Sequence, residues 1–570
     1  MIHIMWFSAL VMWVAPNIVS GSTFLKQKAD GATSHISAQE VQVSLLSEIE
    51  GSLGTGTAAK KLNALEAQLR PMYNALPKNA DGGLSHSVVR YALHRLFVQR
   101  HGWMVKGLDP DGGSFNASSP ADILKDQVPT YIQGLFEKRL HGKGMGLHEL
   151  AVFGATIEHL IHNEAVGRVG DALNVHQILA TSTMSEQEAD EVLDTYMMAY
   201  ILGENLKNMT KESSKDAVAE MPELYHDWKD TQVFMREKRA EVTAATQAHE
   251  INFATLAKVA EAAGEHFGTF QDKDCRELKD KLVAMEDRGS GRVRLADFYK
   301  PAMKGAWQFQ ESVQYLRELG ALDESDANDK RVIIPNYLQS PTNCIASSSF
   351  YSVCCMDECE SLMGHLEKEI AGPEAPADHL ASLVSKLPSS SVTAPRTLSP
   401  SLLKRLDDIA ASHDGTVPIH GRLFTQWMHH AFPRECEYPH VSGTTNPQTS
   451  DEWEAEGKRS TASKFEMSQY ISKAAKADAA KAEAAKTEAP TSEVEVEDVQ
   501  VPWLHEEELL QERTAAFSQP TSSSTGSAMR NVMLFSALGS VLIGLVRMGQ
   551  STSPQKKKLG YEGTSDKLYV

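Results

Sequence analysis

Positive charge is scarce in this 570-residue chain, where 56 Lys and Arg stand against 75 Asp and Glu for a formal net charge of -19. Holding a phosphate backbone requires clustered cations, so no nucleic-acid partner is expected. Cysteine is sparse as well. The six residues Cys275, Cys344, Cys354, Cys355, Cys359 and Cys436 include no Cys-x-x-Cys pair, which disfavours a zinc site and a dithiol redox motif. There is no Gly-x-Ser-x-Gly elbow, Walker A loop or dinucleotide-binding glycine fingerprint, so the usual sequence signs of hydrolase, NTPase and dehydrogenase chemistry are missing.

The two ends are apolar. Ile4 to Val14 is too short to span a bilayer but suits the core of a signal peptide, with cleavage expected after about Gly21. Only His3 supplies potential positive charge ahead of it, a departure from the usual signal. Residues 531–546 form an uncharged run of sixteen, about 24 Å of helix against a hydrocarbon core of about 30 Å. Arg530 and Arg547 bracket it and can extend the span by reaching to the interfaces. Lys556, Lys557 and Lys558 follow it and Glu506, Glu507 and Glu508 precede it, so the positive-inside rule puts the C-terminus in the cytoplasm. The expectation is a single-pass membrane protein of the secretory pathway or cell surface, with a lumenal or extracellular ectodomain. Ser536, Ser540 and Gly544 recur every four residues in the span and offer a small-residue face for self-association. In such a compartment the six cysteines can form three disulfides, with fifteen connectivities open. The sequons at Asn116 and Asn208 become candidate glycosylation sites.

Between the ends, the chain reads as mainly α. Leu62, Leu65, Leu69 and Met72 repeat at helical spacing, as do Val89, Leu93, Leu96 and Phe97 before a stop at Gly102. Ser185 to Glu188 is a capping box, and Gly203 stands where its helix should end. After the signal (1–21) and a flexible segment (22–59), a helical domain is expected over 60–270 and a helix/loop region holding every cysteine over 271–460. In the latter, Leu380 to Pro400 is rich in Ser, Pro and Thr and is read as a surface loop. Residues 461–490 carry a five-residue Ala/Lys/Glu repeat, which cannot keep one apolar face and should make a semi-rigid helical spacer. A disordered acidic stalk (491–528), the membrane helix (529–548) and a basic tail (549–570) complete the expected order.

Two constellations are candidates for chemistry. Glu158, His159 and His162 lie in a titratable segment running from His148 to Glu164. On a helical wheel the histidines fall opposite the apolar face, so a solvated surface is expected, with a transition-metal site as the sharper alternative. His159 and His162 sit one turn apart and would need ligands from a second helix. The other candidate runs from Glu286 to Asp297. Aligned with a twelve-place calcium loop, Gly291 takes the glycine place, Val293 the apolar eighth, Ser290 the fifth, and Glu286 and Asp297 the first and last. Arg288 at the third place would repel calcium. A degenerate EF-hand-like helix–loop–helix is therefore expected, with Glu286, Ser290 and Asp297 as its candidate calcium ligands.

Arg90 to Trp103, His148 to Glu164, Cys344 to Cys359 and Pro433 to Cys436 resemble an uncharacterised family of algal and other protist proteins, over about 60–455. That family has no established activity, so the resemblance implies one folded unit and no residue roles. The functional expectation is a non-enzymatic interaction or regulatory ectodomain. A calcium-responsive protein and a metal-dependent helical enzyme are the alternatives.

Overall fold

The computed structural model describes residues 57–108, 144–246, 250–345, 348, 350–487 and 503–510. The signal, the 531–546 run with its Ser536, Ser540 and Gly544 face, the basic tail and the Asn116 sequon lie outside the described residues. Among the described residues, no helix is long and apolar enough to cross a membrane.

Seven helices build the first core: α1 (Thr57–Ala75), α2 (His86–His101), α3 (Leu147–Val175), α4 (Glu186–Leu202), α5 (Lys211–Leu224), α6 (Trp228–Thr246) and α7 (Phe253–Ala284). Their apolar faces close on one another through Leu65, Leu69, Leu93, Phe97, Phe153, Ile157, Val192, Tyr196 and Phe267, all buried. Local signals set the helix ends. Ser185 accepts the Glu188 N–H and Glu188 returns a carboxylate to the Ser185 N–H at 2.8 Å, while Gly102 and Gly203 end α2 and α4 in the left-handed region. Gly268 lets α7 run against the end of α2, since a Cβ there would stand 1.9 Å from the His101 carbonyl oxygen.

Strand β1 (Trp103–Val105) follows α2 and pairs antiparallel with β5 (Tyr351–Val353). Between them lie two helix–loop–helix units. The first joins the C-terminal end of α7 through β2 (Arg292–Arg294) to α8 (Leu295–Met303). The second joins α9 (Val313–Glu318) through β3 (Leu322–Asp323) and β4 (Arg331–Ile333) to α10 (Ile334–Gln339). The loops meet where β2 pairs antiparallel with β4, Val293 opposite Val332. Their core of Leu282, Phe298, Tyr315, Val332 and Tyr337 also takes Trp453 from α15 (Ser450–Ala455) and Met467 from α16 (Lys464–Thr487). Only the start of α16 packs there; its five-residue repeat is exposed where described, tied by an Arg294–Asp478 pair at 3.0 Å.

The third core is made by α11 (Glu358–Ile370), β6 (Glu374–Ala375), α12 (Ala377–Ser385), α13 (Pro400–Ser412), β7 (Val417–Pro418) and α14 (Arg422–Ala431). Two expectations are corrected here. The Leu380–Pro400 stretch is not all loop: it begins inside α12, because Leu380 and Val384, one turn apart, are both fully buried in this core. Within the expected disordered stalk, Trp503–Leu510 lies in extended form against α13 and α14, held by polar contacts that the acidic composition did not reveal.

The cysteines pair as Cys275–Cys355, Cys344–Cys354 and Cys359–Cys436, with no free thiol. Cys354 and Cys355 are sequence neighbours with different partners. The first bridge ties α7 to the chain after β5, and the last ties α11 to the turn after α14.

Candidate functional site

The paired loops bring many charged side chains together. Glu286 follows the last turn of α7 with its side chain only 3% exposed. One carboxylate oxygen accepts the Gly291 N–H at 2.5 Å and the other accepts Arg434 Nε at 2.9 Å, with a second Arg434 N–H on the same oxygen. Gly291 has φ +71° and its missing Cβ would fall 2.0 Å from the Pro433 carbonyl oxygen. Only glycine tolerates both the conformation and the approach. The loop is thus shaped to receive the Pro433–Cys436 turn.

Asp287, Asp323 and Asp329 of the two loops are likewise neutralised by guanidinium groups. Asp287 meets Arg331 at 3.1 Å, Asp323 meets Arg292 at 2.7 Å, and Asp329 meets Arg294 at 3.0 Å and Arg331 at 3.3 Å. Burial opposes ionisation of Asp323, but the Arg292 charge and the Ser325 hydrogen bonds win and keep its carboxyl below the usual range. Glu324 is lowered to about 2, first by hydrogen bonding to Arg317 and then by Lys330.

The candidate calcium ligands are largely engaged within the chain. Both oxygens of Glu286 are engaged, Asp297 is bonded to Lys300 at 2.5 Å, and the Arg292 carbonyl at the seventh place accepts the Asp287 N–H. Arg288 at the third place is exposed. Ser290 keeps a buried hydroxyl without a partner, far short of the six to eight oxygens that calcium takes. In the expected ligand set Glu286, Ser290 and Asp297, the Arg434 guanidinium meets the Glu286 carboxylate and Lys300 meets Asp297.

The second constellation is also rearranged. Glu158 and His162 are buried rather than solvated, because the end of α2 and the middle of α7 cover that side of α3. His101 Nε2 lies 3.3 Å from Glu158 Oε1, Arg100 lies 3.4 Å from the same oxygen, and His162 faces Glu265 of α7 at 3.8 Å. Trp103 stacks on His101 with ring centroids 4.0 Å apart. Burial alone would raise the Glu158 carboxyl, but His101 and Arg100 hold it down. Burial pushes His162 down to about 4, helped by Lys61 and opposed by Glu265 and Glu158. His159 points elsewhere and meets Asn163 at 3.0 Å. The trio does not converge, and among the described residues no three His, Cys, Asp or Glu side chains are arranged to hold a metal ion.

Sequence reasoning missed a third charged group. Arg95 of α2 donates Nε to both Glu360 oxygens at 2.8 Å and binds Glu367 with its other nitrogens; His420 Nε2 lies 2.8 Å from Glu367. Its members come from three distant stretches, and no local spacing could have grouped them. Arg434 was visible only inside the Pro433–Cys436 phrase, without a role. Beside the Cys275–Cys355 bridge a cleft of about 30 Å³, lined by Lys279, Glu358 and Glu435 among others, has room for about two waters and not for an organic substrate. Asn208 is exposed, at the end of a short 3-10 turn.

In comparisons with known proteins, no family model, no curated protein and no solved structure matches this chain.

Proposed function

We propose that this chain is a membrane-anchored ectodomain that works by binding other proteins rather than by catalysis, and that its paired loops form an EF-hand-like module running without calcium. The observation that carries this reading is the Glu286–Arg434 pair. In a calcium loop the first-place carboxylate binds the ion and the sixth-place glycine makes the sharp turn; here the same carboxylate takes the Gly291 amide and an arginine from another part of the chain. The module becomes a permanent rivet between the α7 helix and the third core. Three disulfides suit folding in an oxidising compartment, which agrees with a cleaved signal, a lumenal or extracellular ectodomain and anchorage through 531–546. Kinship with the algal and protist proteins is part of the same proposal.

The test is calcium titration of the purified full chain by calorimetry, paired with thermal melting in calcium and in chelator. No binding heat and superimposable melts are expected. Stoichiometric heat with a rise in melting temperature would establish the calcium-responsive alternative instead.

A further inference from the structure

Residues Trp503–Leu510 cross the N-terminal end of α14 as an extended strip, and the manner of their attachment is that of a bound peptide. Arg422, 5% exposed, gives Nη2 to the Leu504 carbonyl at 2.9 Å and Nε to the Glu506 carbonyl at 2.7 Å. The carbonyls two residues apart on one edge of an extended strand are thereby read by one guanidinium, whatever the side chains. The Arg422 N–H adds a bond to the Glu508 carbonyl at 3.0 Å, and Gln426 Oε1 accepts the Leu504 N–H at 3.3 Å.

Side-chain selection comes from two ends. Glu507 accepts the Leu423 N–H at 3.1 Å, in the first turn of α14 where the helix dipole favours an anion, and lies 3.4 Å from His413. Glu508 accepts both the N–H and the hydroxyl of Ser442 at 3.0 Å. At the other end, the Trp503 ring lies under Arg405 at 5.0 Å and beside the His430 ring at 5.8 Å.

The strip packs on the cores only at its ends, Trp503 half-buried against the third and Leu510 against the first. Between them Leu504 and Leu509 are 45% and 39% exposed, so the middle is held by polar contacts that water replaces at small net cost. The receiving side, in contrast, is held in place without the strip: Arg422 also donates to Gln426 and to the Pro439 carbonyl, both at 3.2 Å. A fixed groove with an easily released occupant is the arrangement of a peptide receptor.

We propose that the groove formed by Arg405, His413, Arg422, Gln426, His430 and Ser442 recognises an acidic linear peptide of a partner protein, bearing a tryptophan four residues ahead of a Glu-Glu pair, and that Trp503–Glu508 fills it in cis until displaced. The partner's chemistry is read from the seated strip: an extended backbone, one aromatic anchor and two carboxylates. This inference builds on the reading of a binding protein, but it concerns residues other than those of the calcium-loop geometry. Calcium titration tests the loops and peptide titration tests the groove, so either can fail alone.

The test uses the full chain and a fluorescent peptide with the sequence of residues 503–510. Weakening the cis strip by Trp503→Ala with Glu507→Lys removes a tethered competitor, so the peptide is expected to bind that variant about ten-fold or more tighter than the unaltered chain. Adding Gly421→Val should abolish the gain, because a Cβ at Gly421 would stand 3.1 Å from Glu507 Oε1 and 3.2 Å from Leu509 Cδ2. Gly421 has φ -85°, so valine there does not strain the backbone, and an unchanged melting temperature would show that the variant is folded. A folded strip-weakened variant that ignores the peptide overturns the proposal. So does a concentration-dependent dimer of the unaltered chain that the peptide dissolves, since the groove would then serve exchange between copies.

Discussion

Arg434 reaches across 148 residues of sequence to bind Glu286, and the bond is made where the loop has a glycine to admit the arginine's own turn. Arg434→Ala leaves a buried carboxylate without its cation. A loss of about 2–4 kcal/mol in denaturant unfolding is expected, equal in calcium and in chelator. Arg434→Lys should recover only part of it, since an ammonium cannot reproduce the two-nitrogen contact. A loss below about 0.5 kcal/mol for the alanine variant would remove the rivet from the account.

Arg95 is more deeply enclosed, with Glu360 and Glu367 as its counter-charges. Arg95→Met should cost about 3–5 kcal/mol, and adding Glu360→Gln with Glu367→Leu should restore part of that by removing the stranded charges. Burial opposes ionisation of Glu367, but Arg95 and His420 lower its carboxyl from 4.5 to about 2. A carboxyl depressed in the folded state contributes stability that is complete above pH 4.5 and is lost as the pH falls toward about 2. Glu367→Gln should flatten that part of the acid-unfolding curve, measured by far-ultraviolet circular dichroism.

His162 acts in a different window. Its folded form is kept neutral, chiefly by burial, with the pKa lowered from 6.5 to about 4. The corresponding stability is complete above pH 6.5 and declines as the pH falls toward about 4. Melting temperatures across that interval should fall less steeply for His162→Gln than for the unaltered chain. An identical slope would mean that the ring is protonated without penalty.

The Cys359–Cys436 bridge closes a separation of 77 residues around the third core. Replacing both cysteines by serine should cost about 4 kcal/mol through the freedom returned to the unfolded chain. Denaturant unfolding of the double variant measures this directly, and a loss under about 1 kcal/mol would contradict it.

The helices were legible where their instructions are local. Ser185 and Glu188 sit three residues apart and cap one another; Gly102 and Gly203 stop their helices by backbone conformation. The side opposite the apolar face of α3 was misread as solvated because the covering residues, His101 and Glu265, lie 57 and 103 positions from their partners Glu158 and His162. The loop at Glu286 was recognisable from Gly291 and Val293, yet nothing nearby announces Arg434. Similarly, Trp503 and Leu504 lie in an acidic stretch whose composition suggested no attachment at all.

Helix α7 is shared by two cores. Its N-terminal half supplies Leu256, Val259 and Phe267 to the first core, and its C-terminal end supplies Leu278 and Leu282 to the loop module. At 32 residues it is one unbroken rod, about 48 Å long. Fraying it from either end strips apolar cover from the neighbouring assembly, so heat should melt both together in a single calorimetric peak instead of two.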